Sequence, residues 1–141
     1  MTFLKENKAL VRAFFDAANA GDISLAGTFY SQEFFDHEAP PGVTTGPEGA
    51  RQFLSIVLGT LPDLRLTIDD MIAEGDKVVV RVTVDGTMKG AYKGLAPTGR
   101  HATWKGVDIY TIADGKIVER WVVRHHLSMM RQWGILSLPW S

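Results

Sequence analysis

Three groups of ionisable residues in this chain have the types and spacing for acid–base chemistry. Asp36, His37 and Glu38 are consecutive. On an extended strand neighbouring side chains point to opposite faces, so Asp36 and Glu38 share one face and His37 takes the other. Only one of these sets can look into a given pocket. A histidine titrates near pH 6.5 and suits a base at neutral pH. The plainer reading is a turn-capping cluster at a pocket mouth. Asp108 lies between Val107 and Ile109, and alternation puts it on the face of Trp104, Gly106, Tyr110 and Ile112. Burial there would raise its pKa, and a protonated carboxyl can donate to an enolate oxygen. The alternative is a structural acid satisfied by Arg81 or a backbone donor. In the third group Arg120, Val122, Arg124 and His126 share parity on a strand. Its arginines suit a carboxylate or enolate oxygen, unless they are exposed or salt-bridged surface residues.

Other chemistries find less support. His125 and His126 are adjacent and would point apart on a strand, and neither His37 nor His101 stands at a ligand spacing from them, so no metal is expected. No Gly-x-Gly-x-x-Gly motif, phosphate loop or Gly-x-Ser-x-Gly elbow is present. The aromatics, Phe14, Phe29, Tyr30, Phe34, Phe53, Trp104, Tyr110, Trp121 and Trp133, are core residues by default. Several of them around one pocket would suit a flat, mostly hydrophobic ligand.

These residues must be held by the elements that the hydrophobic spacing predicts. Leu4, Leu10, Val11, Phe14, Phe15 and Ala18 predict a first helix. Asn19-Ala20-Gly21-Asp22 stops it, with Gly21 as a left-handed cap and Asp22 as the cap of a short helix over Ile23–Phe29. Ser31–Pro41 reads as extended, and a third helix begins after Gly46, with Pro47 near its first position, and runs to about Leu58. The period then changes from helical to alternating. Strands are predicted over Leu64–Asp69, Val78–Val84, Ala102–Ile112 and Lys116 to about Leu127, with Asp114-Gly115 as a hairpin turn. Gly86–Gly99 is a loop. The tail from Ser128 to Trp140 carries a short helix over Met129–Trp133. Helices first and antiparallel strands after predict an α+β fold, a curved antiparallel sheet wrapped around the N-terminal helices.

Size and charge agree with one globular domain over residues 1–141. The chain has 141 residues, 45% hydrophobic and 22% charged, with net charge -1. A binder of nucleic acid held by bulk charge is disfavoured. No apolar run is long enough to span a membrane, and a charged N-terminus disfavours a signal peptide. The absence of cysteine removes disulfides and thiol catalysis and fits a cytoplasmic protein.

Several strings resemble one family in order and spacing: Asn19-Ala20-Gly21-Asp22, then Phe35-Asp36-His37 before Pro40-Pro41-Gly42 and Gly46-Pro47-Glu48-Gly49. Gly86-Thr87 follows, with Gly94-Leu95-Ala96-Pro97-Thr98-Gly99-Arg100, then Val107-Asp108-Ile109-Tyr110 and Asp114-Gly115-Lys116-Ile117-Val118-Glu119-Arg120-Trp121. Together, over roughly residues 5–134, they resemble the SnoaL-like polyketide cyclases of the nuclear-transport-factor-2-like cone fold. The resemblance implies a bent antiparallel sheet around a conical pocket and intramolecular aldol addition without metal or organic cofactor. The same fold serves ketosteroid isomerase, scytalone dehydratase and limonene epoxide hydrolase, so fold alone does not fix the reaction.

Carried over residue by residue, the resemblance implies His37 as a base by the cyclase-like motif. By ungapped comparison with the isomerase it implies Glu38 as a base instead, Asp108 as the hydrogen-bonding acid, and Phe14 where that enzyme has a tyrosine. Arg120 stands where the cyclases carry a histidine, and Val122 where they carry the essential acid. Valine cannot transfer a proton. The expectation is therefore a small-molecule enzyme acting on an apolar or aromatic carbonyl compound by aldol cyclisation or isomerisation. Asp108, His37, Glu38 and Asp36 are its acid–base candidates. Arg120, Trp104, Tyr110, Phe14, Val122, Arg124 and His126 line its pocket. A homodimer through the outer face of the sheet is expected, with the Trp133–Trp140 tail as another contact. The alternatives are a non-catalytic ligand-binding or dimerisation module of the same fold, and a hydratase, dehydratase or epoxide-opening enzyme.

Overall fold

The computed structural model describes residues 3–137 and Pro139. Its elements follow in the order α1 (Leu4–Asn19), α2 (Ile23–Gly27), β1 (Tyr30–Asp36), α3 (Gly46–Thr60), β2 (Arg65–Glu74), β3 (Lys77–Thr87), β4 (His101–Ala113), β5 (Lys116–Arg124) and α4 (His126–Trp133). The strands form one curved, unclosed sheet in the order β1-β5-β4-β3-β2. Three pairings are antiparallel, as expected. The fourth corrects the expectation of a wholly antiparallel sheet, because β1 runs parallel to β5. The reason is topological: α3 and the β2–β3–β4 meander carry the chain from β1 across the sheet before β5 returns beside it.

Alternation decides which face of the sheet is covered. Val78, Val80, Val82 and Val84 of β3 are buried, while Val79, Arg81 and Thr83 between them are not. The helices cover this inner face at its edges, α1 over β2 and α3 over β1, and α4 packs on β4. The central strands between α1 and α3 are left to face a cavity.

The turn chemistry accounts for the joints. Asp22 Oδ1 accepts from the Leu25 N–H and caps α2, and Gly21 takes φ +70°. Asn19 ties the end of α1 to β2 by two bonds: its Nδ2 donates to the Leu66 carbonyl at 2.9 Å, and its Oδ1 accepts from the Leu66 N–H at 2.6 Å. Asp114 and Gly115 both have positive φ in the β4–β5 hairpin.

Several boundaries differ from expectation: β1 stops at Asp36, short of Pro41, and β2 runs on to Glu74, past Asp69. α2 ends at Gly27, so β1 begins at Tyr30. β5 ends at Arg124, and His126 opens α4 instead of continuing the strand. The chain turns there because Met129 and Trp133 bury against the sheet only as one helical face, closed by Gly134 at φ +81°. Trp140, expected as part of a contact, lies outside the described residues.

Candidate functional site

The cavity between the helices and the inner face of the sheet has a volume of about 790 Å3. That is within the range of small-molecule sites. Apolar side chains dominate its wall: Phe14 from α1, Phe34 from β1, Phe53 and Leu54 from α3, Val122 from β5, and Met129 and Trp133 from α4. Phe14 meets Phe15, Tyr30 and Tyr110 edge-on, which builds an aromatic cluster at the α1 end.

Among these walls stand two closed ion pairs. Asp36 of β1 and Arg120 of β5 are register partners on adjacent strands. Arg120 Nη1 donates to Asp36 Oδ2 at 2.8 Å, and the guanidinium lies 5.2 Å from the Phe53 ring centroid. Arg120 is only 8% exposed. Burial alone would lower its pKa, but Tyr110, Asp36 and Asp108 around it raise it beyond the ordinary arginine value. It is therefore a permanently charged donor beside the cavity.

The second pair corrects the reading of Asp108. This residue is 0% exposed. It accepts from Arg124 Nε at 3.1 Å, from Arg124 Nη2 at 2.6 Å, and from the Tyr110 hydroxyl at 2.9 Å. Three donors and no acceptor surround it, which is the setting of a structural carboxylate rather than of a carboxyl that donates to a ligand. Arg81, the partner weighed from sequence, is on the outer face and donates to the Asp69 carbonyl instead. Arg124 reaches Asp108 because its ladder partner is Gly106. A Cβ at Gly106 would stand 2.4 Å from Arg124 Cγ. A glycine inside a strand marks such a close approach, and that signal was present in the sequence.

The three consecutive residues on and after β1 separate as alternation requires. Asp36 and Glu38 line the cavity, and His37 does not. His37 lies on the outer face, where Nε2 sits 2.9 Å from Glu119 Oε2 and the ring stacks on Trp121 with centroids 4.5 Å apart. This corrects its place as a pocket base. His126 does line the cavity, although it belongs to α4 and not to β5. Its pKa is lowered from the ordinary 6.5 by partial burial and by the positive charges of Arg124 and Lys93, against the opposing charge of Glu38. It is therefore a neutral imidazole at pH 7, exposed at the rim. Trp104 and Tyr110 also line the wall. Tyr30 and Lys93 also line it and were not singled out as site residues; Lys93 lies in a glycine-rich loop whose path no local pattern predicts. Burial raises the pKa of both Tyr30 and Tyr110. Among the described residues, no cluster of three or more ligating side chains could hold a metal ion. No helix among them is long and apolar enough to cross a membrane.

An unclosed α+β cone around a side-chain-lined cavity has the form in which small-molecule sites are commonly found. The chain belongs to the SnoaL-like polyketide cyclase family, whose model matches residues 8–133. It is similar to the solved structure of TsrD from Streptomyces laurentii, with 32% identity, TM-score 0.87, and coverage of 96% of this chain and 100% of that one. It is also similar to AclR from Streptomyces galilaeus, described as a candidate hydroxylase (28% identity, TM-score 0.80, coverage 96% and 89%). IdmH from Streptomyces antibioticus, described as a candidate polyketide cyclase, matches at 26% identity and TM-score 0.77, with coverage of 91% and 98%. No relative is found among the curated proteins.

Proposed function

We propose that this protein catalyses proton transfer on a neutral, largely apolar carbonyl compound of polyketide type, by aldol cyclisation or isomerisation. One observation carries the reading. Asp36 and Asp108 are each tied to an arginine, which leaves His126 and Glu38 as the histidine and the acid of the cavity wall without an ion-pair partner among the described residues, with Lys93 as a third unpaired side chain. His126 is neutral at pH 7 and can take a proton from carbon; Glu38 is the second candidate. Arg120 offers five N–H donors and makes one side-chain hydrogen bond, to Asp36. Its remaining donors can receive a carbonyl or hydroxyl oxygen. The two ion pairs leave the wall nearly neutral, which favours an uncharged ligand. The chemistry moves protons and changes no oxidation state, so the reading calls for no cofactor.

A second reading is a binding module that kept the cone and lost the chemistry. Val122 favours it, because this valine lines the cavity at the position where the family resemblance expects the essential acid. One experiment separates the two. Incubated with 2-tetralone in D2O, the enzyme would accelerate exchange of the protons between ring and ketone, followed by NMR. His126→Gln would reduce that acceleration by about tenfold or more, the lower range of general-base effects. Binding of the ketone with no acceleration would support the module.

We further propose a second copy of the chain as partner. On the outer face Ile72, Val79, Ile109 and Trp121 are successive ladder partners and form an apolar row. Val123 beside it is 78% exposed.

A further inference from the structure

We propose that the indole N–H of Trp104 receives the carbonyl oxygen of the substrate at the α4 end of the cavity. The inference rests on the reading of the cavity as a carbonyl site, and it names the group that orients the ligand there.

Trp104 lines the cavity and is 5% exposed. Its Nε1 is buried and has no hydrogen-bond acceptor among the described residues, and it is the one buried side-chain nitrogen or oxygen among them in that condition. A buried donor left unpaired is costly, so natural structures rarely keep one without a use. Its neighbour makes the contrast. Trp133 packs edge-on against the Trp104 ring, with centroids 5.5 Å apart, and its own Nε1 donates to the Gly86 carbonyl at 3.2 Å. Of two adjacent indoles, one is tied to backbone and the other has no acceptor among the described residues.

The position of Trp104 relative to the base gives the donor a chemical meaning. Gly106 and Arg124 are ladder partners on β4 and β5. The His125 N–H donates to the Lys105 carbonyl at 2.8 Å, which carries the ladder one step past Arg124. β5 ends at Arg124 and His126 opens α4, and Trp104 and His126 both line the cavity. In the proposed pose the ketone oxygen lies on the indole N–H and its neighbouring carbon faces His126. When the C–H bond at that carbon breaks, the proton passes to the imidazole. The electron pair moves into the carbonyl group and leaves an enolate oxygen. The indole N–H then donates to an oxygen richer in charge than the one it first bound, which is the condition for stabilising the transition state. Return of the proton to carbon or oxygen completes the step, and no oxidant is needed. The substrate class is a ketone carried on an apolar, ring-bearing body.

The test compares two probes of nearly equal shape, 2-acetylnaphthalene and 2-ethylnaphthalene, on the wild-type protein. Indole N–H signals assigned through bonds are followed during titration. The acetyl compound is expected to move the Trp104 N–H proton downfield, and the ethyl compound is expected not to. Trp104→Phe removes the donor and also shrinks the ring, and the ethyl probe measures that lost packing. The variant should weaken binding of the acetyl probe about two- to tenfold more than binding of the ethyl probe, the range of one neutral hydrogen bond. If both probes shift other cavity signals but the Trp104 N–H stays still, the inference fails while the cavity remains an apolar ligand site. If neither probe perturbs any cavity signal, the carbonyl reading fails and the inference falls with it. The wild-type comparison decides the matter even if the variant does not fold.

Discussion

Arg124 crosses over Gly106 to hold Asp108 by two bonds, one of them 2.6 Å long. The most deeply buried acid among the described residues is thereby made part of the scaffold. Removal of one partner from such a pair strands the other charge. Asp108→Ala is expected to destabilise the fold by about 3–5 kcal/mol, the usual result for a broken buried pair. Urea denaturation at pH 7 measures it. A loss under about 1 kcal/mol would mean that water reaches Arg124 and that the pair is not structural.

Gly106→Ala tests the same arrangement from the backbone. The new methyl would meet Arg124 Cγ at 2.4 Å and the Val123 carbonyl oxygen at 2.5 Å. Something must move, and overpacking of this kind costs about 1–3 kcal/mol. Because part of that cost is displacement of Arg124, the change should be less than additive with Arg124→Ala in a double-mutant cycle. Additive losses would show that the glycine serves the ladder alone.

Burial of two phenols predicts an alkaline limb of stability. The pKa values of Tyr30 and Tyr110 are raised in the fold, chiefly by desolvation. A group whose folded pKa is raised contributes stability that is present below its unfolded value, about 10 for tyrosine, and lost as pH rises through the folded value. Ultraviolet titration of the native protein should therefore show no phenolate from these two residues just above pH 10. Their absorbance should appear together with loss of the fold. Tyr110→Phe, which also removes a donor from Asp108, should shorten the alkaline limb.

Much of this architecture was legible in the sequence because it depends on local periodicity. The alternation in Val78–Val84, the Asp114-Gly115 turn and the Asp22 cap each act within a few residues, and each is where it was expected. Alternation also required Asp36 and Glu38 to part from His37, but it could not tell which side would meet the cavity. That choice was made by the parallel pairing of β1 with β5, a contact between segments more than eighty residues apart. The partner of Asp108 was hidden for a similar reason. Arg81 and Arg124 are both near β4 in the sheet, and only the face each occupies separates them. The last strand was expected to run too long because Arg124-His125-His126 carries no breaker. The turn there is imposed by burial of Met129 and Trp133.

The outer face yields a prediction about assembly. Val123 and the Ile72–Val79–Ile109–Trp121 row make an apolar surface that a two-fold related copy could cover with the same row. Sedimentation at micromolar concentration should give a dimer. Val123→Glu would place a charge in that contact and should give a monomer with unchanged probe binding in the cavity. A wild-type monomer would exclude this face as a self-contact at that concentration.

The pH dependence of His126 bears most directly on function. Its pKa is lowered in the fold by partial burial and by Arg124 and Lys93. As a proton acceptor it must be neutral, so the acid limb of kcat/KM for ketone proton exchange should have its midpoint below 6.5. An unperturbed histidine would place that midpoint at about 6.5. The sign for stability follows from the same shift. The unfolded chain takes up the proton first as pH falls through 6.5, so the fold loses stability from there down to the lowered native value. His126→Gln should remove this acid limb from the residual activity and flatten stability over the same window. Lys93→Gln, by removing one of the two cations named, should move the wild-type midpoint upward without abolishing exchange. An acid limb that survives unchanged in His126→Gln would transfer the base role to Glu38, and Glu38→Gln would then be the variant that loses it.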